Sequence, residues 1–149
     1  IIENGVWRMW YDSADYWIDE TLPKYNIKYA ESTDGINWIR KKIVAVDYLY
    51  ENETRVSRAC VVKKDNLYQM WYCYAIGTGG YNMGYGVSED GYSFQRKDKE
   101  VGITLSDSGW DSEMICYPHV FNHKGHTYML YCGNGYGRTG FGIAKLMED

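Results

Sequence analysis

The sequence predicts an all-β fold built from repeated units of four antiparallel strands. Three observations support this prediction: 17% of the residues are aromatic, a strand-like motif recurs at a nearly constant spacing, and no stretch shows helical periodicity. Aromatic side chains favour the pleated, half-buried surface of a sheet. Sixteen glycines supply turns, and the chain contains only two prolines.

Two motifs carry the repeat. The first occurs three times, at residues 7–11 (WRMWY), 68–72 (YQMWY) and 127–131 (TYMLY). The second occurs at residues 27–35 (IKYAESTDG) and 83–91 (MGYGVSEDG), and begins again at residues 140–144 (GFGIA). Both complete copies end in Asp-Gly, which favours the positive φ angles of a hairpin turn. The middle unit is therefore expected to hold strands at about residues 57–63, 67–74, 81–88 and 93–98.

Tandem four-stranded units of about 60 residues are typical of β-propellers. A β-sandwich is the alternative, but it does not require the same Met-Trp-Tyr strand in the same place of each unit. We predict a single partial propeller domain over residues 1–149, with about three blades at residues 1–45, 55–100 and 114–149. Open sheet faces invite association. An incomplete propeller exposes such faces. The sequence therefore predicts either a homo-oligomer or additional N-terminal blades that cover the exposed faces.

Composition argues against several functional classes. The net charge of −4 and the lack of a clustered basic face argue against nucleic acid. The four cysteines lack CxxC spacing, so we expect free thiols and no metal site. No cofactor is predicted. No signal-like start or membrane-length apolar run is present, which predicts a cytoplasmic protein without a membrane partner.

Two longer stretches give the chain a resemblance to a known superfamily. Residues 109–118 (GWDSEMICYP) and 131–142 (YCGNGYGRTGFG), together with the blade motifs, resemble the C-terminal part of five-bladed propeller glycosidase-like proteins, the superfamily of glycoside hydrolase families 43 and 32. The resemblance implies a carbohydrate ligand and, in a complete protein, hydrolysis of glycosidic bonds. Hydrolases of this superfamily generally take three funnel carboxylates from the first three blades, so most of that set is expected outside this chain. A non-catalytic sugar-binding or assembly module, or a fragment of a larger glycosidase-like protein, is the alternative.

Candidate carboxylates lie in two polar segments that enter inner strands, residues 51–58 and 106–119. Glycoside hydrolysis needs two carboxyl groups beside the scissile bond. Glu113 is the first candidate, because Trp110 nearby is expected to raise its pKa by desolvation. Asp111 or Glu53 is the candidate second carboxylate or ligand contact. The alternative is that these carboxylates serve in turns and ion pairs.

The remaining candidates are ligand contacts. Arg55 and Arg58 carry forked donors that suit carboxylate, phosphate or sugar hydroxyls, with an ion pair between blades as the alternative. Tyr117 occupies the place of Arg58 in the next unit, where it either contacts ligand or packs. The other candidate ligand contacts are Trp110, beside Glu113, His119, at the start of an inner strand, and Asn134 and Tyr136, in a glycine-rich hairpin.

Overall fold

The computed structural model describes residues 1–147 and confirms the all-β prediction. The predicted domain end at residue 149 lies outside the described residues. Eleven strands run in chain order: β1 Ile2–Glu3, β2 Val6–Trp17, β3 Pro23–Ser32, β4 Ile39–Val46, β5 Glu53–Lys64, β6 Leu67–Ile76, β7 Asn82–Ser88, β8 Gln95–Arg96, β9 Cys116–His123, β10 His126–Cys132 and β11 Phe141–Lys145. A short 3-10 helix at Asp98–Glu100 and a short helical segment at Asn134–Gly137 complete the regular structure.

The strands pair mostly as consecutive antiparallel neighbours. Strands β1 to β4 form the first unit and β5 to β8 the second, and a single parallel pair, Tyr25 with Arg55, joins the two into one eight-stranded sheet. Strands β9 to β11 form a separate three-stranded sheet. The predicted strands of the middle unit correspond to β5 to β8, except that β5 begins earlier and β8 spans two residues.

The hairpin turns have the backbone geometry that their residues predict. At Asn4-Gly5 and Lys124-Gly125 both residues have positive φ, as a tight turn between twisted antiparallel strands requires. These turns join the first two strands of the first and third units. Short hairpins therefore place successive strands side by side and fix the register of each unit.

The repeated tryptophans fill the gaps between successive units. Trp10 of β2 packs within 6.2 Å, centroid to centroid, of Phe94 in the second unit, and its indole N–H donates to the Gly91 carbonyl at 2.9 Å. Trp71 of β6 lies in an apolar cluster with Val120 and Met129 of the third unit. The same motif position thus packs one unit on the next.

Several connections between strands lie at the same end of the sheets. This end holds the β2–β3, β6–β7 and β10–β11 connections. It also holds the segments that lead into β5 and β9, because Glu53 at the start of β5 pairs with Ile76 at the end of β6, and Cys116 at the start of β9 pairs with Cys132 at the end of β10. We call this the entry end.

Candidate functional site

The site begins at a bulge that recurs in the inner strands of the second and third units. Arg58 and Tyr117 are 59 residues apart in the sequence, and their φ angles are +59° and +60°. Positive φ is uncommon for residues other than glycine. The pairing register shifts beside both residues. On β5 it shifts between Ser57 and Cys60, and on β10, the partner of β9, it shifts between Leu130 and Cys132. A β-bulge of this kind redirects a side chain relative to its strand.

Each bulge is fixed by the preceding unit. The Arg58 N–H donates to Asp12 Oδ1 at 3.0 Å, and the Tyr117 N–H donates to Cys73 Sγ at 3.0 Å. Asp12 and Cys73 both follow the Trp-Tyr pair of the repeat, so they are equivalent residues of successive units. The sequence prediction did not include either residue. Extending the alignment of the repeat by one residue past Tyr11 and Tyr72 matches Asp12 with Cys73.

Five side chains meet at the entry end and form what we call the aromatic–arginine cluster: Arg55, Arg58, Tyr81, Tyr117 and Tyr136. The Arg58 Cζ lies 4.7 Å from the Tyr117 ring centroid, and Tyr117 stacks on Tyr136 with centroids 6.2 Å apart. Tyr81 lies 6.5 Å from Tyr117 and 6.1 Å from Tyr136, and the Arg55 Cζ is 5.0 Å from the Tyr81 centroid. The structure therefore brings together four predicted ligand contacts and adds Tyr81.

Some side chains of the cluster are held by hydrogen bonds, and others are exposed to solvent. Arg55 Nη2 donates to the Gly79 carbonyl at 2.7 Å, whereas its buried Nε has no partner in the described chain. Burial, with the hydrogen bond to Tyr25, raises the pKa of Tyr81, so this phenol stays neutral. Arg58 is exposed and Tyr136 is 51% exposed. A ligand can therefore reach a guanidinium and an aromatic face from solvent.

Asp12 supplies a carboxyl group beside this cluster. Burial raises its pKa, and the hydrogen bond and charge of Arg58 lower it without cancelling that effect. The residue itself remains exposed to solvent. Asp12 therefore keeps its proton to higher pH than an ordinary aspartate.

Glu113 lies at the rim of the entry end, and its side chain is exposed. Its backbone N–H donates to Asn134 Oδ1 at 2.8 Å, and the Met114 N–H donates to the same atom at 3.0 Å. Asn134 Nδ2 donates to the Gly109 carbonyl at 3.0 Å. The amide of Asn134 is thus occupied in holding the segment that carries Glu113.

Asn134 also begins the turn that carries Tyr136. The predicted glycine-rich hairpin contains a short helical segment in which Gly135 and Tyr136 adopt left-handed conformations, with φ of +62° and +61°. Glycine adopts this conformation without the clash of a Cβ atom. The turn directs Tyr136 towards Tyr117 and completes the cluster.

Asp111 and Trp110 pack against the third unit rather than against Glu113. The Tyr131 hydroxyl donates to Asp111 Oδ2 at 3.0 Å, and the Trp110 ring lies 5.4 Å from the Tyr131 ring. Burial and this hydrogen bond raise the pKa of Tyr131 to about 12. Trp110 therefore packs on Tyr131, whereas Glu113 is exposed to solvent.

Glu53 is fully buried in an ion pair. Its two carboxylate oxygens accept hydrogen bonds from the two Nη atoms of Arg96 at 2.8 and 2.9 Å, and Oε2 also accepts the Leu49 N–H at 2.6 Å. Glu53 therefore has the role that the sequence offered as an alternative, a carboxylate in an ion pair. It is separate from the aromatic–arginine cluster. His119 is exposed on β9, where its ring stacks on Phe121 with centroids 5.9 Å apart.

The thiols are free, and Cys73 and Cys116 are buried. Within residues 1–147, no three His, Cys, Asp or Glu side chains are grouped so that they would hold a metal ion. None of the helices described in the chain has the length and apolar character needed to span a membrane.

Comparisons with known proteins place the fold. No family model matches the chain. It is 43% identical over 148 residues to the uncharacterised protein MT1551 of Mycobacterium tuberculosis, and the match covers 98% of this chain and 48% of that protein. The chain thus spans about half the length of the curated relatives it matches.

Solved structures with a similar fold are glycoside hydrolases. A thermostable family-43 glycoside hydrolase superposes with a TM-score of 0.79 at 15% identity, over 100% of this chain and 53% of that one. Zg3597, a family-117 glycoside hydrolase of Zobellia galactanivorans, superposes with a TM-score of 0.78 at 16% identity, over 98% and 50%. These likenesses show that the chain shares the propeller fold of these structures.

Proposed function

We propose that the chain is a carbohydrate-binding module of the propeller glycosidase-like type and that the aromatic–arginine cluster is its binding site. The observation that carries the proposal is the convergence of Arg58, Tyr117 and Tyr136 at the entry end. Sugars present apolar C–H faces and rings of hydroxyls. Tyrosine rings pack against the former, and guanidinium and phenol groups donate hydrogen bonds to the latter.

Binding is the activity that these residues serve most directly. A few fixed polar groups among aromatic faces suffice for ligand recognition, whereas hydrolysis also needs two carboxyl groups at a defined separation. The glycosidase-like fold supports a carbohydrate rather than another ligand of similar chemistry. Proteins of one fold can have different functions, because the residues of the site determine the function. The aromatic–arginine cluster is therefore stronger support for carbohydrate binding than the similarity in fold.

Hydrolysis of glycosidic bonds is the second candidate function, and Asp12 is the observation that favours it. Its raised pKa suits an acid that donates a proton to a leaving oxygen. Glu113 is the exposed carboxylate at the same end of the sheets. The pair proposed here is therefore Asp12 with Glu113, in place of Glu113 with Asp111.

The open edge of the third unit supports a partner for the chain. Within the described residues, β11 pairs only with β10, and Phe141 and Ile143 on it are 74% and 62% exposed. Exposed apolar side chains on an edge strand favour association. A second copy, or blades from the other half of a longer protein, would cover this edge.

Replacing Tyr117 with alanine is expected to weaken carbohydrate binding by about tenfold or more, because it removes the ring that links Arg58 and Tyr136. Titration calorimetry with linear xylo-, arabino- and cello-oligosaccharides measures the affinity. Tyr128→Ala is the matched control, because Tyr128 lies on β10 beside Phe121 and outside the cluster. Binding that both variants retain at wild-type affinity would refute the assignment.

A further inference from the structure

Two arginines outside the aromatic–arginine cluster show how this fold satisfies a buried guanidinium. Arg8 Nη1 lies 3.1 Å from Glu3 Oε2, and the Arg8 side chain is 9% exposed. The Arg96 side chain is 6% exposed and lies 2.8 Å from Glu53 and 2.7 Å from Asp98. A charge withdrawn from water is costly unless an opposite charge lies beside it. Both of these arginines therefore have a carboxylate as their partner.

Arg55, in the cluster, has no such partner. Within residues 1–147, no carboxylate lies within ion-pair distance of its guanidinium. Its Nη2 donates to the Gly79 carbonyl, whereas its Nε is buried and has no hydrogen-bond acceptor in that part of the chain. A carbonyl group accepts a hydrogen bond but carries no net charge. The positive charge of Arg55 is therefore left without a counter-charge at the entry end.

Arg58 has an unpaired guanidinium as well. It is exposed, and in the described part of the chain its guanidinium forms no ion pair. The contact that fixes its position is the one between its Cζ and the Tyr117 ring, at 4.7 Å. A guanidinium presents a planar fork of N–H donors that matches the two oxygens of a carboxylate. The fork of Arg58 is thus available to a ligand.

The carboxyl groups of the entry end do not occupy this fork. Asp12 accepts a hydrogen bond from the backbone N–H of Arg58, at 3.0 Å, and lies outside ion-pair distance of the guanidinium. Glu113 is exposed, and no cation of residues 1–147 pairs with it. The site therefore offers a carboxylate of the ligand a place that no carboxylate of the chain takes.

The same two carboxyl groups favour a singly charged ligand group over a doubly charged one. Asp12 and Glu113 both lie at the entry end, and repulsion between like charges grows with the charge of each. A phosphate group carries about 1.5 to 2 negative charges at neutral pH, whereas a carboxylate carries one. A sugar carboxylate therefore fits this arrangement of two guanidinium and two carboxyl groups better than a phosphate does.

We propose that the aromatic–arginine cluster binds an acidic sugar of the uronic acid class. The sugar ring packs against Tyr136, which is 51% exposed and stacks on Tyr117, and the sugar carboxylate accepts a forked hydrogen bond from Arg58. The charge of Arg55 adds attraction for the anion. This inference rests on the proposed function, and it specifies a charged rather than a neutral carbohydrate.

The test compares each acid with its own methyl ester, which removes the charge and keeps the sugar and the linkage. Titration calorimetry uses trimers of galacturonate, glucuronate and mannuronate in both forms. We expect the wild-type protein to bind at least one free acid about tenfold or more tightly than its ester, because charge-assisted hydrogen bonds are about twice as strong as neutral ones. Arg58→Gln is expected to bind acid and ester alike. Arg58→Lys, which keeps the charge, is expected to retain part of the difference.

Arg40→Gln is the matched control. Arg40 is also exposed, its Cζ lies 5.8 Å from the ring of a tyrosine, Tyr11, and it lies on β4 outside the cluster. We expect this variant to prefer the acid as strongly as the wild type does.

Equal affinities of acid and ester in the wild type, or binding confined to neutral xylo-, arabino- and cello-oligosaccharides, would overturn this inference and leave the proposed function standing. A preference for the acid that Arg58→Gln retains in full would overturn it too. Binding of inorganic phosphate but of no uronate would identify a phosphate site instead and contradict the inference. If the wild-type protein bound none of these sugars, acidic or neutral, both proposals would be wrong.

Discussion

Replacing Arg96 with methionine is expected to lower the free energy of unfolding by about 3–5 kcal/mol. The guanidinium forms hydrogen bonds with both oxygens of Glu53 and with Asp98 Oδ2 at 2.7 Å. The side chains of Glu53 and Asp98 are 0% and 4% exposed. Removing the cation leaves two buried carboxylates without their partner, and an unpaired buried charge is costly.

The change is measured by urea unfolding, with circular dichroism as the probe. Lys97→Met is the matched control, because the neighbouring Lys97–Glu100 pair has side chains 36% and 60% exposed. An exposed pair contributes at most about 1 kcal/mol. Equal unfolding free energies for the two variants would show that Glu53 is not held by Arg96, and would reopen Glu53 as a ligand contact.

The second candidate function predicts that replacing Asp12 with asparagine, or Glu113 with glutamine, lowers the rate of glycoside hydrolysis by about 100-fold to 10,000-fold. Asparagine cannot donate the proton that a protonated Asp12 would supply, and glutamine cannot act as a base or a nucleophile. Both changes preserve shape. Release of reducing sugar from the oligosaccharide that binds best measures the rate.

Asp111→Asn serves as the control for the carboxylate pair, because the Asp111 carboxylate accepts a hydrogen bond from Tyr131. We expect this variant to hydrolyse at the wild-type rate. Loss of hydrolysis in Asp111→Asn and Glu113→Gln, with Asp12→Asn at the wild-type rate, would restore the pair suggested by sequence alone. Sugar binding without hydrolysis in every form would identify a binding module.

The fold was predictable because local signals agreed with one another. The recurring motif, Met-Trp-Tyr in two copies and Met-Leu-Tyr in the third, locates β2, β6 and β10, and the Asp-Gly turns locate the ends of β3 and β7. Alternation and turn chemistry act over a few residues, so they are visible in the sequence. The tryptophans of that motif, Trp10 and Trp71, pack between units.

The site was predictable only in part, because its geometry depends on contacts between units. Arg58 and Tyr117 stood out as equivalent positions, but their left-handed conformations depend on the acceptors Asp12 and Cys73 in the preceding unit. Glu53 looked like a ligand contact because its partner, Arg96, is 43 residues away. Pairings over such distances leave no local pattern.

The central claim is that carbohydrate binds at the aromatic–arginine cluster, and mapping backbone amide shifts by nuclear magnetic resonance during an oligosaccharide titration tests it most directly. We predict saturable shifts at residues 55–58, 81, 113–117 and 133–138, with the amides near Trp7 and Tyr128 unchanged. Shifts centred on Trp7 and Tyr128, or none at saturating ligand, would contradict the claim.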